Sequence, residues 1–199
     1  MAVTLYASAL TARDTVLASL GRGRAREEGD DDLIMASVNY ATAEMERITG
    51  RRLAARDYTS ATRLRIDGDG DHYLRLSEYP VNTVTSAASV DENGVETALD
   101  LTGKRLLNDS GRVFLPWQTV PEGVGNILVT CNAGYASTDP ARYDLERICL
   151  RLSAVIYQDL KKQAGRVTDA TLLSATSRIP DFEMPADIAN GLKAYARMW

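Results

Sequence analysis

Histidine and cysteine are nearly missing from this 199-residue chain, which holds one of the first and two of the second. A catalytic pair or triad that needs an imidazole has only His72 to draw on, and His72 lies in an acidic, turn-like segment. Two cysteines, Cys131 and Cys149, are too few for a disulfide framework and lack metal-ligand spacing. Cys149 falls on the apolar stripe of a predicted helix, so a buried free thiol is the expectation. A reactive thiol would need a basic partner. Long apolar runs are missing too. No stretch approaches the roughly eighteen residues of a membrane helix, and Met1 to Leu10 has no basic flank before its short apolar run. A soluble protein made in a cytoplasm, with no membrane partner, is expected. Nor is there an excess of positive charge: 23 Lys and Arg against 27 Asp and Glu give −4. That balance does not suit a protein that grips DNA through its phosphates, but one that surrounds DNA without holding it fits. Gly21, Gly23 and Gly29 lack the preceding strand and the lysine-hydroxyl pair of a phosphate loop.

What is present is an ordinary globular composition, 45% apolar, with a clear change of pattern along the chain. Residues 11–50 read as helical. Thr11-Ala12-Arg13-Asp14 has the form of a capping box, Val16, Leu17 and Leu20 give an apolar face, and Gly21 is a natural stop. A polar run follows to Asp32, with Arg22, Arg24 and Arg26 before five acidic residues, read as a solvated loop or else as a DNA-touching arm. Ile34, Val38, Ala41, Met45 and Ile48 then recur at helical spacing, closed by Gly50. Residues 57–135 read as short strands divided by turns. Tyr58 to Ile66 and Tyr73 to Leu76 are predicted to form a hairpin about Asp67-Gly68-Asp69-Gly70-Asp71, with later strands at Val81–Val90, Lys104–Leu107, Arg112–Leu115 and Asn126–Asn132. Asp139-Pro140 opens a spine helix over 140–164, whose apolar face runs from Leu145 to Leu160. The arm 165–199 is loop-like, with one short helical turn near Thr171, until Pro185 starts a last helix.

Two constellations invite a functional reading. Asp67, Asp69, Asp71 and Glu78 fall at positions one, three, five and twelve of a calcium loop, but His72 stands where the sharp turn wants glycine. A solvated hairpin tip explains the same residues. As a general acid/base pair they would need an apolar pocket to raise one pKa, and nothing marks one. The second is apolar: Ile188, Leu192, Tyr195 and Trp199 share one helical face. Such a stripe packs on its own domain or docks a neighbour through apolar anchors, each contributing roughly 1.5–3 kcal/mol when fully buried. Repeated around a ring, weak contacts of that kind reinforce each other.

The order of short features resembles the head-tail connector (head-tail adaptor) proteins of tailed phages. An amphipathic helix ends in Ile48-Thr49-Gly50-Arg51 and leads to a strand at Tyr58-Thr59. Leu74-Arg75-Leu76-Ser77-Glu78-Tyr79-Pro80-Val81 follows, then Val129-Thr130-Cys131-Asn132-Ala133-Gly134-Tyr135, a proline and the spine helix. The resemblance covers about residues 33–160. It implies a single adaptor domain over 1–199, of α+β class: a mainly α-helical body, an antiparallel hairpin or meander projection and a C-terminal docking helix. It further implies a virion protein of the neck, assembled in host cytoplasm as a ring, usually dodecameric, beneath the portal protein. Ile188, Leu192, Tyr195 and Trp199 then face the portal. Neighbouring copies and a stopper or tail-side protein meet other surfaces, and genomic DNA passes the lumen without sequence-specific binding. No catalytic residue, metal or cofactor is expected. Other readings are a stopper or tail-completion protein, a carboxylate- or metal-dependent enzyme at Asp67–Glu78, and a DNA-binding module using Arg22, Arg24 and Arg26.

Overall fold

A computed structural model of the chain describes residues 4–5, 9–20, 30–107, 110–164 and 184–196. The fold is mixed α+β, with two long helices, two antiparallel sheets and a short C-terminal helix, in agreement with the class expected from the sequence. The chain divides into two compact units, one of residues 1–54 with 137–199 and one of residues 55–136.

The first unit is helical. It contains α1 (Arg13–Ser19), α2 (Asp30–Thr49), α3 (Pro140–Ala164), α4 (Ala186–Leu192) and a 3-10 turn (Lys193–Tyr195). The apolar stripe of α2 buries Ile34, Val38, Ala41 and Met45, which pack with the Leu145, Cys149, Leu152 and Ile156 side of α3. Ile48 closes the stripe half-buried. Helix α2 ends where Gly50 takes a φ of 69°, the left-handed conformation that other residues avoid. Glu46 then reaches past that end, accepting from the Leu53 N–H at 3.2 Å and pairing with Arg52 at 2.9 Å. Helix α3 starts as expected, with Asp139 Oδ1 accepting the Ala141 N–H at 2.9 Å. Helix α1 starts differently. Its N-cap is Ala12, with no side-chain cap bond, and the capping box on Thr11 does not form. Thr11 is buried instead, beside a Leu10 N–H that donates to Thr42 Oγ1 of α2 at 3.3 Å. Tertiary contact has overridden the local cap.

The second unit is β. Its hub is β8 (Gly123–Ala133), which pairs with β1 (Arg56–Tyr58) and β2 (Leu64–Gly68) on one side and β4 (Val81–Val90) on the other. Strand β5 (Glu96–Ala98) extends that sheet beyond β4. A second sheet runs β3 (Tyr73–Arg75), β7 (Arg112–Phe114), β6 (Arg105–Leu107). Alternate residues of β8, namely Ile127, Val129, Cys131 and Ala133, are buried as period-two geometry requires. Strand β4 instead buries Val81, Val84 and Ala87, at intervals of three. Two register shifts against β8, at Val81/Thr83 and Val84/Ser86, each insert one residue and return the next apolar side chain to the core. These residues meet Leu74, Leu76, Val113 and Leu115 of the second sheet in one core.

The hairpin expected across Asp67–Asp71 does not form. Strand β2 pairs with β8, and β3 pairs with β7, so the Asp-Gly turn is a corner between two sheets. Gly68 shows why. A Cβ there would stand 1.8 Å from the Pro121 carbonyl oxygen, so the chain crosses itself at a distance only glycine allows. The run 58–66 is also interrupted, with a turn closed by the Thr62 N–H on Thr59 O at 3.0 Å.

Candidate functional site

The C-terminal stripe is divided by the structure. Ile188 and Leu192 are buried, at 2% and 0% exposure, inside the helical unit and among residues of α2 and α3. A Cβ on Gly191 would lie in ordinary contact with Ile148 Cδ1, 3.5 Å away, so α4 rests closely on α3. Polar groups fasten both ends: Arg151 pairs with Asp187 at 2.5 Å, and the buried Arg51 donates from Nε to the Tyr195 carbonyl at 2.9 Å. Tyr195 is half-buried, at the end of the 3-10 turn that follows α4. Trp199 lies outside the described residues, as do Arg22, Arg24 and Arg26 and the stretch 165–183 with Thr171.

The acidic loop is engaged by the protein itself. Asp67 Oδ1 accepts the Gly125 N–H at 2.5 Å. Asp69 and Asp71 grip opposite parts of one guanidinium, Arg75 Nε at 2.5 Å and Nη2 at 2.6 Å. Asp71 Oδ1 also accepts the Tyr73 N–H at 2.7 Å. Partial burial works against the ionised form of Asp71. The Tyr73 and Arg75 hydrogen bonds, with the charges of Arg75 and His72, outweigh it and hold its carboxyl below the ordinary range. His72 turns Nδ1 toward the carbonyls of Gln118, at 2.7 Å, and Leu115, at 3.1 Å. Glu78 does not complete a cluster, and no group of three or more His, Cys, Asp or Glu fit for a metal occurs among the described residues. What the sequence presents as a calcium loop is a corner brace.

The two thiols are separately buried. Cys131 is pushed up to about 11 by burial and by the nearby Glu78 charge. Cys149 is pushed up to about 11 by burial, which outweighs its contacts with Thr42 at 3.7 Å and Ser153 at 3.9 Å. Both are thiols at neutral pH, and at Cys149 burial also outweighs the charge of Arg142. A cleft of about 540 Å³ between the N-terminal stretch and α3 is lined by Leu5, Leu10, Leu150 and Arg142. Its arginine is already engaged with Glu146 at 3.0 Å and with the Ala9 and Leu10 carbonyls.

The surface holds what sequence reading missed. Val95, Leu107, Trp117 and Val124 of the β unit, and Tyr143 of α3, are large apolar residues with exposures of 45–92%. Trp117 and Val124 follow turn-like Leu-Pro and Glu-Gly pairs, a weak signal of residues held outside a strand.

No protein-family model and no curated protein matches the chain. Solved structures do match it over its whole length. A chain in the neck of an empty gene transfer agent (GTA) particle, computed with C6 symmetry, aligns with a TM-score of 0.65 at 21% identity. A chain in the virion of the native GTA particle gives 0.61 at 20%, and one in the native neck computed with C12 symmetry gives 0.60 at 19%. Each alignment covers 100% of this chain and 95% of the other. At these identities the likeness is one of fold, extending through both units and the C-terminal helix.

Proposed function

We propose that this chain is a non-enzymatic structural protein of the neck of a phage-like particle, present as identical copies in a ring. The supporting observation is the end-to-end fold correspondence with chains of GTA necks and a GTA virion, with no part of this chain left over. The side chains agree with it. The carboxylates that suggested chemistry are engaged by Arg75 and backbone N–H groups, and both thiols are buried.

Within the neck, the finer reading is an adaptor ring of twelve beneath the portal protein, meeting a stopper or tail-side protein on its far side, with DNA passing through. The twelvefold symmetry of one matched neck is compatible with that number. The C-terminal segment carries the portal contact in this reading. Because Ile188 and Leu192 are buried in the helical unit, they fasten α4 in place, and in this reading the portal contact falls to Tyr195 and Trp199.

The test is to mix the purified protein with portal rings and image the product by electron microscopy. A ring of density on the tail-facing side of the portal is expected. Trp199→Ala should weaken that attachment without lowering the melting temperature. A protein that ignores the portal but caps an adaptor-portal complex is a stopper. One that joins neither, or that turns over a substrate, is not a neck protein.

A further inference from the structure

In the β unit, Glu92 and Glu122 at one place and Lys104, Arg105 and Arg112 at another have no partner among the described residues, and each group lies beside exposed apolar side chains. The first set lies beyond one end of the five-stranded sheet. Strand β4 pairs with β8 as far as Ser89↔Ile127, and β2 as far as Gly68↔Gly123. The turn 91–95, which follows β4, and residues 122–125, at the start of β8, therefore lie at the same end of the sheet. Asp91 there accepts the Asn93 and Val95 N–H groups, Asp67 accepts that of Gly125, and Glu96 pairs with Arg63 at 2.6 Å. Glu92 and Glu122 are exposed and have no partner among the described residues. They flank Val95, 59% exposed, and Val124, 92% exposed.

The second set is on the outer face of the three-stranded sheet. Leu74, Val113 and Leu106 point to the core, so their neighbours face outward in two cross-strand rows: Tyr73, Phe114, Arg105 and Arg75, Arg112, Leu107. Tyr73 and Phe114 stack at 5.2 Å and Arg75 is held by Asp69 and Asp71. Arg105 and Arg112 are exposed without a partner among the described residues. Leu107 at 45% is on the same face, and Trp117 at 75% packs by Gly103, just before β6.

We infer that these two surfaces dock on each other between copies: the Glu92/Glu122 end with Val95 and Val124 on one, and the Arg105/Arg112 face with Leu107 on the next. This rests on the ring reading and names the contact that would build it. Two unmatched carboxylates meet two unmatched guanidiniums, each pair bordered by exposed apolar side chains, and arginine with tryptophan is the composition of interface anchors. The surfaces differ, so the contact is head-to-tail, the geometry a ring requires. A nucleic acid could use the arginines, but it would leave Leu107, Val95, Val124 and the two glutamates without a role.

Sedimentation of the full chain at low and high salt tests this. Wild type should associate as concentration rises, less so in salt. Arg105→Glu with Arg112→Glu, and separately Glu92→Arg with Glu122→Arg, should each weaken self-association by about tenfold or more. Mixing the two variants should restore it, because each then offers the charge the other lacks. Both variants should keep the wild-type melt, since the altered residues are on the surface. A wild type still monomeric at about 1 mM overturns the inference, since a weaker contact would not serve even a closed ring. So does a mixture that fails to reassociate. Loss of DNA binding by the arginine variant with unchanged self-association would make the face a polyanion site instead. If that variant associates as wild type yet still joins the portal, this contact is wrong while the neck reading stands.

Discussion

Leu192→Ala separates packing from docking at the C-terminal helix. Leu192 is wholly buried, so truncation loses the transfer free energy of three carbon atoms and leaves a cavity, together about 2–5 kcal/mol. The upper end has a ceiling. Helix α4 spans only Ala186–Leu192, too short to persist alone, and the unit can release it once docking becomes unfavourable. The cost cannot exceed what holds α4 down: Ile188 and Leu192, the Arg51 bond to the Tyr195 carbonyl, and the exposed Arg151–Asp187 pair, which adds little. A loss of about 2–4 kcal/mol follows, and for a chain of this size each kcal/mol lowers the melting temperature by roughly 2–4 °C. Calorimetry should show the helical unit melting about 4–16 °C earlier. Hydrogen exchange should show residues 186–195 losing protection first. A melt within about 1 °C of wild type would refute the packing, and would return Ile188 and Leu192 to the set of residues available to a partner.

Three other outcomes follow from the same structure. Gly68→Ala should cost about 2 kcal/mol or more by denaturant titration, because the new Cβ meets the Pro121 carbonyl rather than a movable side chain. Cys149 should resist an aromatic disulfide reagent at neutral pH until the chain unfolds, and labelling at the rate of a free thiol would contradict its burial. Asp71 has a depressed folded pKa, so its contribution is present above the ordinary carboxylate pKa and is lost as pH falls through the folded value. Asp71→Asn should therefore lower the melt slightly near neutrality and remove part of its acid dependence, a small effect because the Arg75 pair is partly exposed.

The helices were legible in the sequence because their signals are local. Ile34 to Met45 and Leu145 to Leu160 repeat at helical spacing, and Gly50 and Asp139-Pro140 mark ends that the structure keeps. The β unit was legible in its strands but not in its pairing. Strand β4 hid its buried face behind two bulges, and the Asp67–Asp71 turn looked like a hairpin because Asp-Gly runs serve sharp corners equally well. The apparent calcium loop had the same origin. Carboxylates at alternate positions suit a cation, and they also suit Arg75, four residues after Asp71 on β3. At the C-terminus a helical stripe told which residues share a face but not what covers them. Burial then separated Ile188 and Leu192, inside the unit, from Tyr195 at its edge.

That separation changes where an assembly contact can lie. A protein that forms rings must keep apolar surface exposed until a partner covers it, and the cost of exposing it limits how much a single copy can carry. Among the described residues the long helices leave little: of the five large apolar residues that stand exposed, Tyr143 alone is outside the β unit. The other four belong to the β unit, residues 55–136. Short strands held by one hub, β8, make a stable core with little spare apolar surface. Four exposed side chains retained there are therefore better explained by an occupant than by the demands of folding.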